Sequence, residues 1–136
     1  MVLPTFVRLA LRDESLVVHG DGTQRRSFCH VADTVAGLVA LVDHPDSPGR
    51  PYNLGAWNEV TIRDLAQMVI ERTGSRSTIE TVPYERAYVR GFEDMERRLP
   101  DIQRITALTG WEPRRTLEDI LVDVIAFERS RLEAAA

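Results

Sequence analysis

Lysine is missing from this chain of 136 residues: all 17 basic residues are arginine, so no reaction that needs a lysine ammonium can be carried by it. Arginine stays charged at any relevant pH and serves to bind rather than to shuttle protons. Cys29 is the single cysteine, which excludes an internal disulfide. His19, His30 and His44 are dispersed, so neither a zinc-ligand spacing nor a cysteine–histidine nucleophile can be drawn, and no metal is expected. No apolar run reaches the roughly 18 residues that a helix needs to cross a bilayer. The N-terminus lacks the basic, apolar and small-residue order of a secretory signal, and a cytoplasmic location is expected. A net charge of −4 argues against broad electrostatic binding to nucleic acid.

What is present is ordinary for a globular protein, with 43% hydrophobic and 28% charged residues, and the length fits a single domain over 1–136. Pro4 opens a short apolar helix to about residue 12, and LVVHG at 16–20 has the β-branched composition of a strand. The Gly20-Asp21-Gly22 sequence reads as a hairpin turn into a second strand at 26–30. Residues 31–44 repeat apolar side chains at helical spacing with Asp33 in the first turn, which predicts a mostly buried helix. A Pro- and Gly-rich loop leads to YNLG at 52–55, read as a short strand. Thr61 and Asp64 form a capping-box-like start for a helix to Thr73, with Gly74 as its stop. A strand at 78–82 follows, then a charged loop at 83–100, a helix at 101–109 stopped by Gly110, and a last helix capped by Thr116 and Asp119. The fold class is α+β, a mostly helical small domain of about five helices with short strands.

Arginine pairs at 25–26, 97–98 and 114–115 suit phosphate, because a planar fork of donors matches phosphate oxygens two at a time. Arg26 falls at a turn-to-strand junction and Arg98 in the charged loop, both places where a side chain can reach a ligand. Spacing alone favours solvated or salt-bridged arginines, since Glu93, Asp94 and Glu96 lie beside Arg97 and Arg98. The two glycines at 20 and 22 are the start of a dinucleotide fingerprint, but position 25 is arginine and no long helix follows, so a β-turn is expected.

The stretches PTFVRLALRDESLVVHGDGTQRRSFCHVADTVAGLVAL, YNLGAWNEVTIRDLAQMV and RRLPDIQRITALTGWEP resemble the extended short-chain dehydrogenases that act on nucleotide sugars, the NAD-dependent epimerase/dehydratase family. The resemblance covers about residues 2–130 and implies the family's C-terminal, substrate-binding portion, without a complete Rossmann domain. It places Arg26 and Arg98 on the two diphosphate-gripping arginines, Asp101 on an acid that reaches the nucleotide end, His19 on an aromatic beside the base and Thr5 on an asparagine that reaches substrate. Asp101 has an alternative role as the N-terminal partner of its helix.

The family's catalytic tyrosine depends on a lysine four residues on, yet Tyr52, Tyr84 and Tyr88 are followed there by Ala56, Tyr88 and Phe92. No catalytic residue, and no NAD held by this chain alone, is expected. NAD belongs to the parent family, whose chemistry starts with oxidation at sugar C4. The expected ligand is a nucleotide-diphosphate sugar, a UDP-sugar first. A 4-epimerase-like parent ranks ahead of a UDP-glucuronate decarboxylase. A non-catalytic binding module and an oligomerising relic, whose strand at 52–54 makes an interface, are the other readings. The expected partners are a separate NAD-binding half or a second copy, since helices that pack on the family's cofactor sheet would here expose apolar faces.

Overall fold

The computed structural model describes residues 1–83 and 95–135. Among them are five helices and five short strands: α1 (Val2–Ala10), β1 (Leu16–His19), β2 (Arg25–Ser27), α2 (Val31–Val42), β3 (Glu59–Thr61), α3 (Ile62–Thr73), β4 (Ile79–Val82), β5 (Arg97–Arg98), α4 (Gln103–Thr109) and α5 (Leu117–Ala134). The architecture is α+β, with a two-stranded sheet β1-β4 and a three-stranded sheet in the order β3-β2-β5.

The chain divides into two compact units. The first comprises Met1–Arg26, Val60–Arg97 and Leu121–Ala136. Its core is apolar at helical spacing: Leu3, Phe6, Val7 and Ala10 of α1, and Ile62, Leu65, Ala66 and Val69 of α3, together with Leu16 and Val18 of β1. β1 and β4 pair in parallel, Leu16 opposite Ile79 through His19 opposite Val82. The helix α3 starts because Thr61 Oγ1 accepts the Asp64 N–H at 3.0 Å. It stops because Gly74 takes φ 67°, a left-handed conformation that costs glycine little.

The second unit comprises Ser27–Glu59 and Arg98–Ile120. Its centre is Ile102, Ile105 and Trp111, against which Cys29, Leu41, Tyr52 and Leu54 pack. Cys29 is accordingly a packing residue. Gly110, at φ 71°, ends α4, and Thr116 and Asp119 cap α5 reciprocally: the Thr116 N–H and hydroxyl donate to Asp119 Oδ2, and the Asp119 N–H donates to Thr116 Oγ1.

Three expectations about elements are corrected. The helix expected to be mostly buried, α2, buries only Asp33 and Gly37, and exposes Val31, Val35, Leu38, Val39 and Val42. Its sequence is apolar nearly all round, so periodicity could not say which face finds a partner. Residues 52–55 form no strand. Pro51 removes one backbone donor, and the segment is held instead by Tyr52 and Leu54 in the core and by the Asn53 side chain. Gly20–Gly22 is not a hairpin turn, because β1 pairs with β4 while β2 belongs to the other sheet. Of the charged loop at 83–100, residues 84–94 lie outside the described residues, and Arg97–Arg98 is a short strand.

Candidate functional site

In the first unit, Arg26 lies on β2 and is partly buried. Its Nη1 donates to the carbonyls of Arg25 and Met95, each at 2.8 Å. The Arg25 N–H donates to Glu96 O at 2.7 Å, so β2 is fastened to the residue just ahead of β5. The two carbonyls fix the orientation of the guanidinium on β2.

His19 ends β1, and its carbonyl accepts from Gln24 Nε2 at 3.0 Å. The turn between them is fixed by Asp21, whose Oδ1 accepts from the Thr23 hydroxyl at 2.7 Å and the Thr23 N–H at 2.9 Å. These bonds, the hydroxyl first, hold the Asp21 carboxyl below its ordinary pKa. Thr5 lies on α1 and turns its hydroxyl inward along the helix, donating to Met1 O at 3.0 Å, while Arg8 Nη2 donates to its Oγ1.

The same unit tests whether the Gly20–Gly22 turn could receive a dinucleotide. Gly22 is buried, and a Cβ added there would lie 2.8 Å from Val18 Cγ1 and 3.0 Å from Arg63 Cβ. Its carbonyl accepts the Arg63 N–H, and Gln24 O accepts the Ile62 N–H. The turn is packed onto the first residues of α3, whose leading N–H groups are thereby satisfied. Packed in this way, the Gly20–Gly22 turn does not present the open backbone N–H groups of a pyrophosphate cradle.

In the second unit, Arg98 is exposed on β5 and Asp101 is exposed ahead of α4. Asp101 Oδ1 accepts the Gln103 N–H at 2.9 Å, and its carbonyl accepts from Asn53 Nδ2 at 3.0 Å. The helix-starting role weighed for Asp101 is therefore present in the geometry. Arg26 belongs to one unit and Arg98 to the other.

The second unit also holds an arrangement that no local signal announced. Asp33 is 3% exposed. Its Oδ2 accepts the N–H groups of Arg114 and Arg115, at 3.0 and 2.8 Å, and its Oδ1 accepts from Arg115 Nη1 at 2.7 Å. Trp111 Nε1 donates to Asp33 O at 2.9 Å. Burial pushes the Asp33 carboxyl up, but the two backbone donors and the guanidinium outweigh it and hold the pKa below its ordinary value. A cleft of 560 Å³ opens beside them, lined by Asp33, Ala36, Trp111, Glu112, Arg114 and Arg115. In the sequence Asp33 reads as a first-turn acid, and its partners stand 78 to 82 residues away.

Guanidiniums on short strands are groups of a kind that pair with anionic oxygens. Among the described residues no group of three or more His, Cys, Asp or Glu side chains could hold a metal ion. No helix among them is long and apolar enough to cross a membrane.

The described residues form a small α+β fold with arginines on short strands. The family described as GDP-mannose 4,6 dehydratase matches residues 1–124. The chain is 35% identical over 128 residues to UDP-N-acetyl-alpha-D-glucosaminuronate decarboxylase of Bacillus cytotoxicus, covering 94% of this chain and 40% of that one. It is 38% identical over 135 residues to UDP-glucuronic acid decarboxylase 1 of Danio rerio, covering 99% and 30%. The structure of UDP-glucose 4-epimerase from Thermotoga maritima, with UDP-glucose, superposes with a TM-score of 0.85 at 25% identity, covering 97% of this chain and 40% of that one. The chain belongs to the NAD-dependent epimerase/dehydratase family, and it spans 30–40% of the length of these relatives.

Proposed function

We propose that this chain supplies the nucleotide-diphosphate-sugar binding portion of a family enzyme, that its ligand is a UDP-sugar, and that it does not turn substrate over alone. The observation that carries the reading is the fixed setting of Arg26 on β2, at the position to which the resemblance assigns a diphosphate arginine. Arg98 supplies the second fork. Thr5, His19 and Asp101 complete the set, with His19 beside the base and Asp101 toward the nucleotide end. A guanidinium fork pairs with phosphate oxygens two at a time and fixes their register, so that the sugar is presented to groups outside this chain. Hydride transfer with NAD belongs to those groups.

Identities of 35–38% to decarboxylases of UDP-uronates support a uronate as the sugar. A 4-epimerase parent is the second reading, supported by the likeness to UDP-glucose 4-epimerase. The apolar stripe on α2 supports a partner that covers it, either a separate NAD-binding half or a second copy.

Calorimetric titration with UDP, UDP-glucose and UDP-glucuronate at two salt concentrations tests the reading. The expected result is binding that weakens with salt and is lost in both Arg26→Ala and Arg98→Ala. Absence of binding by the wild-type chain, or binding unaffected by both substitutions, would overturn it. Tighter binding of UDP-glucuronate than of UDP-glucose would favour the uronate.

A further inference from the structure

The segment that carries Arg98 and Asp101 is clamped from one side by the chain at 53–55. Gly55 is buried, and a Cβ added to it would overlap Pro100 Cγ and lie 3.3 Å from Pro100 Cβ. The backbone at Gly55 therefore approaches the Pro100 ring more closely than any other residue type permits. One residue on, Asn53 Nδ2 donates to Asp101 O at 3.0 Å. Beyond that, the Asp101 carboxylate is turned onto the Gln103 N–H and Ile102 is buried in the core. Proline also restricts the residue before it to extended backbone, so Leu99 transmits the position of Pro100 to β5 with little slack. The Gly55–Pro100 approach and the Asn53 bond thus hold the stretch between Arg98 and α4 on the side facing 53–55.

We infer that Gly55, acting through Pro100 and assisted by Asn53, is the positioning residue for Arg98. The inference rests on the proposed role of Arg98 at the diphosphate. A methyl group at position 55 pushes Pro100 away, and Arg98 and Asp101 on either side of it move together, while His19 belongs to another element. The loss is then larger for UDP, which both residues would reach, than for uridine, which only Asp101 would.

The test compares the wild type with Gly55→Ala, Pro100→Ala and the double variant, by amide hydrogen exchange and by NMR titration with UDP and with uridine. Gly55→Ala is expected to speed exchange at the amides of Leu99, Asp101 and Ile102. It should weaken UDP binding about tenfold or more, the scale of one charge-assisted contact, and weaken uridine binding by a clearly smaller factor. Removing the Pro100 ring in the double variant makes room for the added methyl and should recover most of the UDP affinity. Unchanged exchange in Gly55→Ala, or equal weakening for UDP and uridine, would overturn the inference. If the wild type does not bind UDP, the nucleotide reading fails by itself, while the exchange data still decide whether Gly55 holds the Arg98 segment. If Gly55→Ala does not fold, Asn53→Ala loosens the same clamp from an exposed position and is read by the same two measurements.

Discussion

Arg115 holds Asp33 twice, with its backbone N–H at 2.8 Å from Oδ2 and its guanidinium at 2.7 Å from Oδ1. The Arg114 N–H adds a third bond to Oδ2. The carboxylate thereby ties the first turn of α2 to the chain leading into α5, within one compact unit. Because the folded-state pKa is depressed, the bonded carboxylate contributes stability that is fully present above the unfolded pKa and is lost as pH falls through the folded one. Urea unfolding should give a flat stability near neutrality and a decline below about pH 4. Asp33→Asn should flatten that decline. Asp33→Ala should cost about 3 kcal/mol at neutral pH, the lower end for breaking a buried pair, since the Arg115 side chain is 45% exposed. An Asp33→Ala variant as stable as the wild type would show that these bonds contribute nothing net.

Gly37 is where α2 meets its own unit most closely. A Cβ added there would overlap Leu54 Cδ2 and sit 2.9 Å from Trp111 Cε2, and Trp111 is fixed by its bond to Asp33 O. Neither neighbour can retreat without disturbing the core around Ile105. Gly37→Ala should therefore destabilise by about 1–3 kcal/mol despite the better helix propensity of alanine. Chemical denaturation with Trp111 fluorescence as reporter checks this, and Leu54→Ala should relieve part of the loss.

The opposite face of α2 carries Val31, Val35, Leu38, Val39 and Val42, exposed by 49–83%. Residues at this spacing form one continuous stripe, and a stripe of that kind in water favours association. Size-exclusion chromatography with light scattering should show an apparent mass that rises with concentration. Val35→Glu with Val39→Glu should return the protein to a monomer, because burying two carboxylates costs more than the stripe gains. A clean monomer of the wild type across a wide concentration range would refute the expectation.

Local signals were legible in the sequence and distant pairings were not. Thr61, Asp64 and Gly74, and again Thr116 and Asp119, could be read because a cap is formed by residues within one turn of each other. The strand at 16–19 could be read from β-branching, but not its parallel partner at 79–82, which pairs at a sequence separation that composition does not encode. The strand Glu59–Thr61 is three residues long and carries no periodicity to detect. The buried face of α2 was hidden because nearly every position on it is apolar. The Arg26 setting was half legible: its place at the head of a strand could be expected, whereas the two carbonyls that orient it come from a neighbouring residue and from Met95.

His19 gives the sharpest test of where the base would lie. It stands at the end of β1, opposite Val82, and its carbonyl is engaged by Gln24 Nε2. That bond uses the backbone, so changing the side chain leaves it intact. The Gly20 N–H likewise donates to Val82 O and does not involve the imidazole. His19→Tyr should thus preserve the strand while presenting a larger face to a nucleobase. Stacking on tyrosine instead of imidazole should tighten binding about threefold, within the range for an added aromatic contact. The gain should be the same for uridine and for UDP, because the base is common to both and the phosphates are bound elsewhere. NMR titrations of the two ligands against both proteins measure the two ratios. A gain for UDP alone would place the side chain at position 19 near the phosphates, and a loss for both would mean that the imidazole makes a contact with the ligand that tyrosine cannot replace.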